Sequence, residues 1–179
     1  MKKVLILHGW GGSDEPHWQW WLEQELKKRN YDVSFPKLPN KDLPNLSSWM
    51  DTLKNEFDRF QPDIVACHSL ANILWFHFVE KYKIKEIEKL MLVAPVRQSC
   101  TIEELKSFFP YPTPSNLKAK DIIMVGSTND QYLNVDEAIE LQSKLNIGLK
   151  ILENAGHINA DSGYGPLSCA VDWIEREIE

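Results

Sequence analysis

Residues 62–76 read PDIVACHSLANILWF and join two kinds of apolar pattern through one polar corner. Ile64 to Cys67 form an unbroken apolar run, which is typical of a parallel strand buried on both faces. From Leu70 onward the apolar residues recur at the spacing of a helix. The segment therefore predicts a strand, a sharp turn at Ser69 and a helix. We call the turn, residues 67–71, the elbow.

The elbow has the features of a site for a nucleophile. At such a turn the serine hydroxyl is exposed above the sheet, and amides at the N-terminus of the next helix face the reacting oxygen. The usual pattern is G-x-S-x-G, and here Cys67 and Ala71 stand at the two glycine positions. Both are small, as required where strand and helix backbones pass closely. Taken alone, the elbow also fits an ordinary structural turn.

Length and composition restrict the class of protein. With 179 residues, 43% hydrophobic and 26% charged, the chain is expected to form a single domain over residues 1–179 that buries about 70% of its unfolded surface. The net charge of -6 and the pI near 5.4 argue against nucleic acid and anionic membranes as partners. We expect a small neutral or weakly charged ligand, and nothing indicates a protein partner, although none is excluded.

The start of the chain and its cysteines indicate a cytoplasmic location. The apolar run Val4 to Leu7 is too short for a signal peptide, and no segment is long enough to span a bilayer. The three cysteines form no C-x-x-C pair and no zinc spacing, as expected of reduced thiols. We therefore expect neither disulfides nor a bound metal.

Strand and helix patterns alternate along the whole chain. Predicted strands cover Lys3–Leu7, Tyr31–Phe35, Ile64–Cys67, Ile87–Val93, Asp121–Val125 and Ile147–Leu152. Predicted helices cover Trp18–Lys28, Leu46–Phe60 with Ser47 or Ser48 near its N-cap, Leu70 to about Tyr82, Val135–Leu145, and Pro166 or Leu167 to Ile178. This order predicts a doubly wound α/β fold with a six-stranded, mostly parallel sheet and with ligand chemistry at the carboxyl ends of the strands.

Residues 96–119 lack a strong period. They contain one short helical piece around Ile102 to Phe108, followed by three prolines between Phe109 and Pro114. One interpretation is an exposed flap that forms a small lid over an open, shallow pocket. The other is an ordinary surface loop with aromatic side chains tucked under it.

A glycine-rich loop, residues 8–13 (HGWGGS), follows the first strand. It fits neither a dinucleotide fingerprint nor a phosphate-binding loop. Glycine also lets a main chain approach a substrate carbonyl, as one side of an oxyanion hole requires. We therefore expect the Trp10 N–H to hold the oxyanion together with the Leu70 N–H.

Three residues at the ends of strands can form a catalytic triad. A serine hydroxyl needs a base, and the base needs an acceptor that fixes its tautomer. Ser69, Asp130 and His157 follow three different predicted strands and occur in the chain order of α/β-hydrolases. Asp136 or Asp161 could replace Asp130 as the acceptor. Of the other histidines, His68 is expected to pack or bond locally and His8 to bond the main chain of its loop. His17 and His77 are expected to be ordinary surface or core residues of helices.

Several motifs give the chain a resemblance to a known family. They are His8-Gly9-Trp10, His68-Ser69-Leu70, Gly126-Ser127-Thr128-Asn129-Asp130, Ala155-Gly156-His157-Ile158-Asn159-Ala160 and Gly163-Tyr164-Gly165-Pro166. Over nearly its full length the chain resembles the small serine hydrolases related to retinoblastoma-binding protein 9 and YdeN, within the α/β-hydrolase superfamily. The resemblance implies a compact α/β-hydrolase fold with minimal or no cap, esterase-type activity and no cofactor. It carries the triad onto Ser69, Asp130 and His157.

The sequence thus predicts a serine hydrolase that cleaves a small carboxylic ester or related acyl substrate. Its acyl pocket is expected to be aromatic and apolar, although core packing explains most of the aromatic residues in the helix that contains Trp18. Candidate pocket residues, besides Trp10, are Trp18, Phe109, Tyr111 and Tyr164.

Two other functions remain open at this point. One is a non-catalytic binding or regulatory protein that keeps the hydrolase fold. The other is a thiol-dependent enzyme that uses Cys67, although a cysteine two residues before the turn should point into the core.

Overall fold

The computed structural model describes residues 1–178 and contains a single six-stranded sheet with helices on both faces. The strands are β1 (Lys3–Leu7), β2 (Asp32–Ser34), β3 (Ile64–His68), β4 (Ile87–Val93), β5 (Ala119–Ser127) and β6 (Gly148–Leu152). The helices are α1 (Trp18–Lys28), α2 (Leu46–Phe60), α3 (Leu70–Lys81), α4 (Val135–Leu145) and α5 (Ser168–Glu175). All neighbouring strands pair in parallel, in the order β2-β1-β3-β4-β5-β6, so the predicted fold class is confirmed.

The central strands are apolar on both faces because both faces are covered. In β1, Leu5 and Leu7 contribute to the core beneath α2, α3 and α4, whereas Val4 and Ile6 contribute to the core beneath α1 and α5. All four side chains are fully buried. This explains the unbroken apolar runs, since successive side chains of a strand point to opposite faces.

The direction of the crossovers changes beside β1. The chain places β2 on one side of β1 and then crosses over to place β3 on the other side. Ligands of open parallel sheets bind outside the carboxyl ends of the strands at such a switch point. The glycine-rich loop leaves β1 and the elbow leaves β3, so the topology brings these two segments together.

Helix termini differ in detail from the prediction. Helix α2 is capped by Asn45, whose Oδ1 accepts from the Ser48 N–H at 3.3 Å, and not by Ser47 or Ser48. Asparagine binds the free amides of a first helical turn at least as well as serine does. Helix α5 is shorter than predicted at both ends, because Leu167 and Arg176 leave the helical conformation.

The segment 96–119 packs against the protein and does not form an exposed flap. Phe108 ends a short 3-10 helix, Glu103–Phe108, and its ring lies edge-on to Trp49 at 5.3 Å between centroids. The Tyr111 hydroxyl donates to the Val96 carbonyl at 3.1 Å, and the Ser107 hydroxyl accepts from the Leu46 N–H at 3.0 Å. Of the two interpretations, the surface loop with aromatic residues beneath it is the one found.

A buried lysine binds the end of the last helix. Lys89 lies on β4 with only 1% of its surface exposed, and its Nζ donates to the carbonyls of Trp173, Ile174 and Arg176. It thereby supplies donors to carbonyls that have no partner within α5.

Across residues 1–178, every helix is too short or too polar to cross a bilayer.

Candidate active site

Ser69 lies at the turn between β3 and α3 in a backbone conformation that L-residues rarely adopt. Its φ is 54° and its ψ is −120°. The Ser69 N–H donates to the Val93 carbonyl at 2.9 Å. The buried Asn72 side chain donates from Nδ2 to the carbonyls of Ser69 and Val93, both at 2.8 Å. The elbow is therefore fixed to β4, and its hydroxyl faces the carboxyl end of the sheet.

His157 and Asp130 complete a hydrogen-bonded chain with Ser69. His157 Nε2 lies 2.7 Å from Ser69 Oγ, and His157 Nδ1 lies 2.9 Å and 3.0 Å from the two carboxylate oxygens of Asp130. A carboxylate only accepts, so the proton of the neutral ring belongs on Nδ1 and Nε2 is free to accept the serine proton. All three side chains are buried. The arrangement can therefore activate a serine hydroxyl.

The loops that carry Asp130 and His157 bind each other directly. Ser127 Oγ accepts from the Ala155 N–H at 3.0 Å, and Asn129 Oδ1 accepts from the Gly156 N–H at 2.7 Å. Asp130 Oδ1 also accepts from the Tyr132 N–H at 2.8 Å. These bonds set the distance between base and carboxylate. Ser127 and Asn129 belong to a quoted motif, but the sequence did not indicate this role.

The alternative acceptors do not reach the imidazole. Asp136 is exposed in the first turn of α4, where a carboxylate suits the helix dipole. Asp161 is exposed at the rim of the site. Within residues 1–178, Asp130 is the only carboxylate that bonds His157.

The glycine-rich loop touches the elbow at Gly9. A Cβ placed on Gly9 would lie 2.8 Å from Ser69 Cβ and 3.3 Å from the Leu70 nitrogen. Leu70 is the first residue of α3, so its N–H has no acceptor within the helix. In the described part of the chain, neither the backbone N–H of Leu70 nor the backbone N–H of Trp10 donates to a protein acceptor. Both predicted oxyanion donors are therefore free, on two segments in contact.

The remaining histidines have structural bonds of several kinds. His8 bonds the Gly9 carbonyl from Nδ1 at 2.7 Å, and its Nε2 accepts from the Leu38 N–H at 2.9 Å. His68 does not bond locally, because its Nε2 donates to the distant His157 carbonyl at 3.0 Å. Burial lowers the pKa of His8 and lowers the pKa of His68 well below its ordinary value.

His17 is more than an ordinary helix residue. It precedes α1 and caps it, since its Nδ1 accepts from the Gln19 N–H at 3.1 Å. Burial, followed by the nearby charges of His157 and His8, lowers the pKa of His17 to about 4. His77 bonds the Phe108 carbonyl at 2.9 Å, which holds the 3-10 helix to α3.

A cleft of about 320 Å³ opens above Ser69 and His157. We call it the active-site cleft. Trp10, 37% exposed, lies on its wall, and its indole N–H is fixed by the Asp42 carbonyl at 3.0 Å. The other wall residues are Gly11, Gly12, His17, His68, Val96, Leu105, Tyr132, Asn159, Ala160 and Asp161.

The four other predicted pocket residues do not line the active-site cleft. Trp18 is fully buried between α1 and the sheet, as expected for the inward face of an amphipathic helix. Phe109 and Tyr111, both within the segment 96–119, pack on each other and on the core beneath α2, α3 and α4, and Tyr111 borders a different groove. Tyr164 packs against the core that contains α1 and α5. Aromatic character alone did not reveal which way these side chains face.

Cys67 is enclosed by the core beneath α2 and α3, and burial raises the pKa of its thiol. A thiol kept protonated and away from solvent is a poor nucleophile. The thiol-dependent alternative therefore has no support in the structure.

A parallel sheet with a strained serine at the end of a central strand, beside histidine and aspartate from later loops, defines the α/β-hydrolase class of proteins. Residues 4–176 match the model of a family described as serine hydrolase, and the chain belongs to that family.

Comparisons with individual proteins support the assignment to the α/β-hydrolase class. The protein YdeN of Bacillus subtilis is 24% identical over 179 residues, which cover 97% of this chain and 94% of YdeN. The crystal structure of the Bacillus subtilis ydeN product matches with a TM-score of 0.88 over 97% of both chains. A YdeN-like protein from Pectobacterium atrosepticum matches with a TM-score of 0.78 at 22% identity, over 97% of this chain and 89% of its own. The esterase domain of a Rhodothermus marinus protein matches with a TM-score of 0.64 at 13% identity, over 90% of this chain and 80% of that one.

Proposed function

We propose that the protein hydrolyses small carboxylic esters through an acyl-enzyme on Ser69. The observation that carries the proposal is the 2.7 Å contact between Ser69 Oγ and His157 Nε2, at a serine held in a strained turn and with Asp130 behind the imidazole. Such a contact gives the hydroxyl a base at the point where a substrate carbonyl can approach.

In the proposed reaction, His157 Nε2 takes the proton of Ser69 as Oγ attacks the carbonyl carbon. The negative charge that develops on the carbonyl oxygen is held by the N–H groups of Leu70 and Trp10. His157 then gives its proton to the leaving alcohol, and the acyl group stays on Ser69. Water then attacks the acyl carbonyl as His157 takes its proton, and His157 returns that proton to Ser69 Oγ when the carboxylic acid leaves. Asp130 stabilises the imidazolium in both halves.

The active-site cleft favours a small ester as substrate. Its volume of about 320 Å³ suits a short acyl group. No lysine or arginine side chain within residues 1–178 lines it, so it offers no counter-ion to an anionic acyl group. The likeness in fold to an esterase domain agrees with this substrate class.

Fluorophosphonate labelling combined with ester hydrolysis tests the proposal. We expect the wild type to react with the probe, and Ser69→Ala to lose labelling and to reduce turnover of p-nitrophenyl acetate by about a thousandfold or more, because triad members act as a unit. Ser143→Ala, an exposed serine on α4, is the matched control and should keep both activities. Turnover that survives Ser69→Ala would remove Ser69 from the mechanism, and a wild type that neither labels nor hydrolyses would favour a binding protein.

A further inference from the structure

His17 presents a hydrogen-bond donor with a fixed tautomer. Its Nδ1 accepts from the Gln19 N–H at 3.1 Å, so the proton of the neutral ring must be on Nε2. The side chain is only 5% exposed. Its low pKa keeps the ring neutral at physiological pH, with a single N–H.

The neighbouring imidazole has the opposite assignment. His68 Nε2 donates to the His157 carbonyl at 3.0 Å, because a carbonyl oxygen can only accept. His68 Nδ1 therefore carries a lone pair. The ring centroids of His17 and His68 are 4.8 Å apart, so a donor and an acceptor lie on adjacent rings.

Both of these ring nitrogens remain without a protein partner. Within residues 1–178, neither His17 Nε2 nor His68 Nδ1 takes part in a hydrogen bond to protein. The unpartnered side-chain atoms that are completely enclosed lie on other residues, namely Ser13, Trp18, Gln19, Asn72 and Trp173. His17 and His68 both line the active-site cleft beside Ser69 and His157. Both rings therefore border the space in which a substrate would sit, each with one unpartnered nitrogen.

We propose that His17 Nε2 and His68 Nδ1 form a subsite for a hydroxyl group of the substrate. A hydroxyl can accept from His17 Nε2 and donate to His68 Nδ1. A carbonyl or ether oxygen can only accept from His17 Nε2, and a methyl group bonds neither nitrogen. The inference rests on the proposed ester hydrolysis and narrows its substrate class. Preferred substrates are small esters with a hydroxyl on the acyl or the alcohol part.

A pair of near-isosteric esters tests the subsite. p-Nitrophenyl hydroxyacetate and p-nitrophenyl propanoate differ by a hydroxyl in place of a methyl group. The difference in their intrinsic reactivity cancels when the ratio of their kcat/KM values is compared between the wild type and a variant. The variant His17→Ser removes the cleft donor and keeps a good N-cap for α1. We expect the hydroxyacetate-to-propanoate ratio of kcat/KM to fall about three- to tenfold in the variant, the usual contribution of one hydrogen bond between neutral groups.

A second pair examines the alcohol part. 2-Hydroxyethyl acetate and propyl acetate are compared in the same two proteins, whose melting temperatures show whether folding is intact. A ratio that falls in either pair supports the subsite and tells which part of the ester carries the hydroxyl. Ratios that change by less than twofold in both pairs overturn the subsite and indicate that the two nitrogens bind only water.

The outcome for the hydroxyl subsite can be distinguished from the outcome for the proposed ester hydrolysis. If propanoate turnover depends on Ser69 while both ratios stay constant, only the subsite is wrong. If no ester is hydrolysed, imidazole ¹⁵N spectra decide the matter without turnover. The His17 and His68 resonances should then shift with hydroxyacetamide and not with propanamide, and equal responses to the two amides overturn the subsite.

Discussion

At the elbow, a residue with a side chain adopts a conformation that glycine tolerates better. The φ of 54° and ψ of −120° at Ser69 cost about 1–3 kcal/mol, and such strain persists only where the surroundings enforce it. Here the Ser69 N–H and carbonyl are both bound, to Val93 and to Asn72. The strain is the local cost of presenting the hydroxyl to His157.

Gly9 lies so close to the elbow that an added methyl group should reduce activity. In Gly9→Ala, the new Cβ would lie 2.8 Å from Ser69 Cβ and 3.0 Å from the His68 carbonyl oxygen, so the loop and the elbow must separate. We expect kcat/KM for p-nitrophenyl acetate to fall about a hundredfold, as displacements near 1 Å do. Steady-state kinetics of the purified variant measure this.

Gly148→Ala is the control for that substitution. Gly148 begins β6 at the opposite end of the sheet, and its added Cβ would lie 3.3 Å from one carbonyl oxygen. This variant should keep its turnover. Full activity of Gly9→Ala would mean that the loop does not need its close approach to Ser69.

The candidate site could be predicted where chain position alone fixes a residue. Ser69, Asp130 and His157 follow the carboxyl ends of parallel strands, and topology brings such ends to one edge. The facing of Trp18 or Tyr111 depends on how helices and loops rotate against the core, which residue type does not encode. His17 was missed as a cleft residue because its local signal, the cap of α1, is unusual for histidine.

At the scale of elements, Asn72 connects α3, the elbow and β4. In Asn72→Leu, a side chain of similar size would lose its bonds to the Ser69 and Val93 carbonyls. We expect the free energy of unfolding to fall by about 1–3 kcal/mol. Because Ser69 can then relax, kcat/KM should also fall, by about tenfold. Urea unfolding and ester hydrolysis measure the two effects, and a stability loss with unchanged turnover would limit Asn72 to a role in folding.

Lys89 joins β4 to the end of α5. In Lys89→Met, the carbonyls of Trp173 and Ile174 lose their donor, and we expect the free energy of unfolding to fall by about 2 kcal/mol. Amide hydrogen exchange in α5 should accelerate. Lys2→Met, which removes the exposed pair with Glu88, is the control and should cost less than about 1 kcal/mol. Equal losses in the two variants would contradict a specific role of Lys89.

Helices could be predicted from the sequence where apolar residues recur with a regular period. Helices α1, α2 and α4 have the predicted bounds, since apolar residues recur through several turns. Strand β2 is shorter than predicted because it lies at the edge of the sheet and pairs only with β1. The end of α5 depends on Arg176 and its neighbours meeting Lys89, a contact between distant residues that no local pattern encodes.

For the whole molecule, buried neutral histidines make stability depend on pH. The pKa of His17 is about 4 in the folded protein against an ordinary value of 6.5, so the unfolded chain binds a proton more readily between these values. Stability from this group is fully present above pH 6.5 and is lost as pH falls toward 4. We expect the free energy of unfolding to fall by about 3 kcal/mol between pH 7 and pH 4 from His17 alone.

The pH dependence of the unfolding free energy in a variant isolates the contribution of His17. His17→Asn keeps a good N-cap and removes the titrating ring, so its unfolding free energy should vary less with pH over this range. Urea unfolding at several pH values measures both slopes. Identical slopes would show that His17 is not responsible. The lowered pKa of His68 acts in the same direction in both proteins.

The contact between Ser69 and His157 joins residues 88 positions apart, and the one between His157 and Asp130 spans 27. Neither can exist before distant strands have registered in one sheet, and pairings of this kind form slowly. Chemical reactivity at Ser69 should therefore emerge late during refolding, after bulk helix content has returned. A fluorophosphonate added at successive delays would serve as a clock for completion of the native topology.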